Sequence, residues 1–181
     1  MGKVVPILLG PLVVLLALGL VLSACSTAQN EKIRIGVYDS RSVAITWPGT
    51  QSFLQSMASL QAEYQKAKDA GDQKRVAELE AEGEARQQLL HMQAFSTAPV
   101  DDILAHIEDS LLGIKESAGV TLLVSKWDQE TLAKYPSAEL VDVTMMLVDA
   151  FQPTELQRQR AVEIQQTEPI SLEDAQKIKD W

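Results

Sequence analysis

The chain of 181 residues has a single cysteine, Cys25, so no disulfide can form within it. It has only two histidines, His91 and His106, and no Cys, Asp or Glu stands at metal-ligand spacing that converges on both. There is no Gly-rich phosphate loop, no Gly-x-Ser-x-Gly elbow and no HExxH helix. Ser, Asp and His are present, but nothing in their spacing brings them together. These absences leave enzyme chemistry, catalytic residues, metals and cofactors without positive support. Basic charge is also scarce: 16 Lys and Arg face 25 Asp and Glu, a net of −9. A nucleic acid partner needs a basic footprint, which this balance denies.

What is present begins with Lys3, followed by an uncharged stretch from Val4 to Ala24 rich in Val and Leu. A positive start, an apolar core and small residues at the end describe a secretory signal peptide, residues 1–24. Leu22-Ser23-Ala24-Cys25 resembles the lipobox of bacterial lipoproteins. The resemblance implies that the Cys25 sulfur is the lipid attachment site and that cleavage leaves Cys25 first. An uncleaved transmembrane helix is the other reading, since 18 or more apolar residues can span a bilayer; Pro6, Gly10, Pro11 and Gly19 weaken it. Both readings put the remainder outside the cytoplasmic membrane, in the cell envelope. Ser26, rather than Asp, resembles lipoproteins sent to an outer membrane and facing the periplasm. Residues 25–32 then read as a lipidated tether, and roughly 150 residues remain, enough for one domain.

After the tether, Ile33, Ile35 and Val37 alternate with polar or small residues, the period of a half-buried strand. "SRSVAITW" starts a helix that Pro48-Gly49 interrupts. From Thr50 the period changes: Phe53, Met57, Leu60, Tyr64 and Ala67 lie at helical steps on one seam. Gly71-Asp72 suits a helix end and a new cap. A second helix follows, its seam formed by Val76, Leu79, Gly83 and Leu90. Two helices joined so briefly predict an antiparallel hairpin, an arm over about residues 50–95. Past Pro99, Asp101 or Asp102 can cap a third helix from Ile103 to Ser117, ended by Gly119. Val120, Leu122 and Val124 mark a second strand. "DQETLAKYPSA" reads as a turn or weak strand, and Thr144 as the cap of the helix "MMLVDAF". Residues 153–181 form a C-terminal extension with two short helices around Pro169. The fold class is α+β: a small β body carrying a long protruding helical hairpin. The strand residues Ile33, Ile35, Val37, Leu122 and Val124 offer so small a shared apolar face that assembly is expected to complete the core.

"KIRIGVYDSRSV" and "ESAGVTLLVSKWDQETLAKYPSAELVDVTMMLVDAF" resemble the OmpH/Skp family of periplasmic chaperones over about residues 32–152. In that family a strand leads into a helical hairpin, and the chain returns through a helix, a strand pair and a final helix introduced by an Asp-hydrophobic-Thr motif, here Asp142-Val143-Thr144. The resemblance implies a homotrimer with a central β body and three arms around a client cavity. It departs from the family's best-known members in being acidic and lipidated, with short arms and an unmatched extension past Gln152.

Two functions follow as expectations. One is a membrane-anchored holdase that binds unfolded or partly folded envelope proteins, using Phe53, Met57, Leu60 and Tyr64 as the client-binding arm. The other is a trimeric envelope scaffold docking a folded partner. Pro48 and Pro99 lie at comparable distances on either side of Gly71, so they are expected to act as a hinge for the arm. His91, on the arm, reads as a solvated side chain. The run Glu78, Glu80, Glu82 and Glu84 reads as a solvated helix face, because alternate residues point to different sides of a helix. Trp127 reads as a recognition residue or, more often for an aromatic ending a strand, as packing. Met57, Met92, Met145 and Met146 read as adaptable client contacts or, at helical spacing, more often as core.

Overall fold

The computed structural model describes residues 1–2 and 32–178. The readings of Cys25, of the apolar segment before it and of most of the tether fall outside the described residues. Among the described residues no helix is long and apolar enough to cross a membrane.

Strand β1 (Arg34–Tyr38) is central in a three-stranded sheet, with β2 (Leu122–Ser125) on one side and β3 (Glu139–Asp142) on the other. Both pairings are parallel. Ile35 lies opposite Leu122 and Leu140, and Val37 opposite Val124 and Asp142. The two later strands, β2 and β3, do not pair with each other but flank β1. Parallel neighbours need long crossovers, and helices supply them.

One crossover runs through α1 (Ser40–Thr46), a 3₁₀ turn at Trp47–Gly49, α2 (Gln51–Asp69), α3 (Gln73–Phe95), α4 (Asp101–Leu104) and α5 (Glu108–Ala118). Val43 and Ala44 of α1, Ala94 of α3, Ile103 and Ile107 pack with Tyr38, Val143 and Leu147 into the main core. Gly36 leaves room for side chains from the flanking strands and their ends: a Cβ there would lie 2.8 Å from Leu123 Cδ2 and 3.1 Å from side-chain carbons of Val120 and Val143. Thr50 accepts the Phe53 amide and starts α2; Asp72 accepts the Arg75 amide and starts α3. Gly71 between them has φ +69°, a left-handed value that favours glycine. Side chains bridge the two helices at three heights: Arg86 to Ser56, Tyr64 to Glu80 and Arg75 to Glu63.

Several local expectations need correction. The helix expected from Ile103 to Ser117 is broken by a 3₁₀ turn at Ala105–Ile107. Neither Asp101 nor Asp102 caps it; Val100 holds the cap position, and Asp102 instead accepts the Gln93 amide at 2.7 Å. "DQETLAKYPSA" contains α6 (Gln129–Ala133), because Asp128 accepts the Thr131 amide and starts a helix. Thr144 is the first residue of α7 (Thr144–Ala150), not its cap. The Asp142 carboxylate accepts the Thr144 amide at 2.8 Å, so the acidic residue of the motif supplies the local bond. The extension forms α8 (Glu155–Glu163) and α9 (Leu172–Gln176). It packs on the rest: α8 lies against α1 and α9 against α3, burying Ala161 and Ala175.

Candidate functional site

Because the three strands are parallel, their C-terminal ends share one edge of the sheet, the place where open α/β sheets assemble sites. Asp39 follows β1, Lys126 and Trp127 follow β2, and Val143 and Thr144 follow β3. The Asp39 side chain caps α1 by accepting the Arg41 amide at 3.0 Å. The same carboxylate receives Arg41 Nε at 3.1 Å and Nη2 at 2.8 Å, Lys126 Nζ at 2.7 Å and Trp127 Nε1 at 3.3 Å. Both side chains of the Asp39–Arg41 pair are 1% exposed. The Trp127 ring lies 5.0 Å from the Arg41 guanidinium carbon and 4.6 Å from Lys126 Nζ.

Burial alone would raise the Asp39 pKa, but hydrogen bonds from Arg41 and Lys126 and their positive charge outweigh it. The carboxyl is held below its ordinary range. A carboxylate so placed is a poor proton acceptor and is closed to substrate. Its work is to fix Arg41, Lys126 and Trp127 at the sheet edge. Burial raises the neighbouring Tyr38 phenol to about 12, with the charges of Asp101 and Asp128 adding to it. Among the described residues no group of three or more His, Cys, Asp or Glu is placed to hold a metal.

Four of the five strand residues, Ile35, Val37, Leu122 and Val124, are brought to one sheet face by the register of β1 and β2, and Ile33 just precedes β1. Ile35 and Val124 are buried, Val37 and Leu122 half-buried, and Ile33 exposed. Of the four arm residues, Phe53, Leu60 and Tyr64 are half-buried; Tyr64 bonds Glu80 and Phe53 meets the Trp47 ring edge-on at 5.9 Å. Much of the seam is therefore taken up within the chain. The large apolar side chains left exposed on this pair of helices are Leu54 at 57%, Met57 at 38% and Leu89 at 40%. The Arg86–Ser56 bond sets the turn containing Leu54 and Met57 beside the turn containing Leu89.

His91 is corrected from solvated to buried: it lies near the end of α3 with Nδ1 2.9 Å from the Ile178 carbonyl oxygen. Pro48 sits in the 3₁₀ turn between α1 and α2, and Pro99 in the connection after α3, where its carbonyl accepts the Gln93 amide. Sequence reasoning missed Asp39, Arg41 and Lys126. No spacing rule separates them from solvated charges, and only the parallel pairing brings residues 39 and 126 together.

With this geometry in hand, comparison with known proteins adds no relative: no family model, no curated protein and no solved structure matches the chain.

Proposed function

We propose that the chain is a lipid-anchored, OmpH/Skp-like holdase of the cell envelope, binding unfolded or partly folded exported proteins without catalysis. The observation that carries the reading is the exposure of the large apolar side chains Leu54, Met57 and Leu89 on α2 and α3, helices whose other exposed residues are mostly polar or alanine. In this reading the two helices form an antiparallel arm, as the bridges Arg86–Ser56, Tyr64–Glu80 and Arg75–Glu63 support. Three chains assemble through the sheet. The order β2-β1-β3 leaves β2 and β3 each with an outer edge unpaired among the described residues, and an open edge is a template for a further strand. Exposed Ile33 and Leu140 give that assembly an apolar contact. Anchoring rests on Cys25, and the outer membrane is the favoured location through Ser26.

The test is suppression of aggregation. The full-length protein in lipid nanodiscs is mixed with an unfolded outer-membrane β-barrel protein, and light scattering is followed. Protection at stoichiometric trimer supports the holdase. Unchanged aggregation at equimolar trimer leaves the scaffold docking a folded partner as the better reading. Mass measurement of the membrane-extracted protein tests the anchor; an unmodified Cys25 with residue 1 retained removes it.

A further inference from the structure

The extension borders a half-open cavity of about 420 Å³ against α1 and α3, within the size range of small-molecule sites. Its wall is largely apolar: Phe95 of α3 and Ile164, Ile170 and Ile178 of the extension, with Thr167 and Glu168. One further wall residue is Arg41, whose side chain is 1% exposed. A guanidinium carries five N–H donors. In Arg41, Nε and one Nη2 donor go to Asp39, and one Nη1 donor goes to the Thr167 carbonyl at 3.0 Å. The other two have no acceptor among the described residues. A buried cation with donors to spare, set in the wall of an apolar cavity, is an arrangement that calls for an acceptor.

The charge balance agrees. Asp39 is shared between Arg41 and Lys126, so two cations face one carboxylate at this sheet edge. Glu168 opposes an incoming anion from the wall, yet its own charge leaves the surplus donors of Arg41 unfilled.

We propose that this cavity binds a small amphiphilic carboxylate, its head on Arg41 and its apolar body among Phe95, Ile164, Ile170 and Ile178. Three of those four apolar residues come from the extension, so binding would fasten the extension to α1 and α3. The proposal is independent of the holdase reading.

The test uses the full-length protein in nanodiscs and three probes of equal chain length: hexanoate, hexan-1-ol and hexylammonium. Thermal unfolding reports binding. Hexanoate is expected to raise Tm at millimolar concentration and to bind at least about tenfold more tightly than hexan-1-ol, the factor one charge-assisted hydrogen bond supplies. Replacing Arg41 would unfold the site's own support, so the cavity is tested by Ile170→Trp, which fills it from a partly exposed position. That variant, compared with its own Tm without ligand, should lose the hexanoate effect, while Glu168→Gln should tighten binding severalfold. Equal binding of acid and alcohol, full hexanoate binding in Ile170→Trp, or no binding at about 10 mM would each overturn the proposal.

Discussion

The hydroxyl of Thr144 accepts the backbone N–H of Asp39 at 3.0 Å, tying the end of β1 to the first turn of α7 across 105 residues of chain. Both residues are buried. The bond satisfies a donor that no strand partner reaches, and it sets the height at which Asp39 presents its carboxylate to Arg41. Thr144→Val keeps the shape and removes the acceptor. Equilibrium urea unfolding should show a loss of about 1–3 kcal/mol, the penalty for orphaning a buried amide. Thr144→Ser should restore most of it, and a Val variant as stable as the parent would contradict this role.

Acid should find the same place. The Asp39 carboxyl is held below its ordinary range in the folded chain, so it contributes stability above the unfolded-state pKa, ~3.9. That contribution falls away as pH drops from there through the lower folded-state value. Asp39→Asn should flatten this part of the acid-unfolding curve. Asp39→Ala should lower stability at neutral pH by about 3–5 kcal/mol, because it strands Arg41 as a buried charge. An acid limb identical in Asp39→Asn and the parent would show that other carboxylates govern it.

Gly36 lies in the middle strand with three side chains where a Cβ would go. Gly36→Ala must push Leu123, Val120 and Val143 outward, and overpacking of this kind costs about 1–3 kcal/mol. Gly83 has nothing within 4 Å of its would-be Cβ, and its φ is not in the left-handed range. Gly83→Ala, inside a helix, should therefore stabilise by up to about 1 kcal/mol. Denaturant midpoints of the two variants should move in opposite directions.

These positions also show what could be read in advance. β1 was legible because Ile33, Ile35 and Val37 alternate. The start of α3 was legible because Gly71-Asp72 carries both a left-handed turn and a cap. The two short helices of the extension were legible on either side of Pro169, but its docking was not, for a physical reason. It is fastened through backbone groups: Ser42 donates to the Ala161 carbonyl, Arg41 to the Thr167 carbonyl, and Ser96 to the Ile170 carbonyl. Such bonds leave no pattern in the residues that accept them, and fully buried Ala161 and Ala175 make too slight an apolar face to register. His91 was misjudged on the same account, since the strap that covers it was not foreseen.

If Leu54, Met57 and Leu89 hold clients, replacing all three with Gln should weaken protection against aggregation without unfolding the chain. Exposed positions of this kind shift stability by about 0.5 kcal/mol or less each. Binding should also change little between low and moderate salt, because screening acts on charge attraction and not on apolar contact. Protection that survives the triple variant, or that collapses with salt, would move the binding surface elsewhere.

The pivot expected at Pro48 and Pro99 has to work against the extension. On the α2 side the chain passes through a single 3₁₀ turn, with Pro48 in it and no buried residue. On the α3 side the last turn is held twice: Ser96 donates to the Ile170 carbonyl at 2.7 Å, and the Ile170 amide donates to the Phe95 carbonyl at 3.0 Å. Gln93 adds bonds to Pro99 and Asp102 on the next segment. Movement of α2 and α3 as a unit therefore requires these fastenings to yield. Ser96→Ala removes one without touching the arm itself and should speed amide exchange through His91–Ala98. Distances between spin labels at Gln73 and Glu130 should be narrow in the parent and broaden in Ser96→Ala. Broad distances in both would place the pivot on the α2 side alone, whereas narrow distances in both would mean the prolines set an angle and nothing moves.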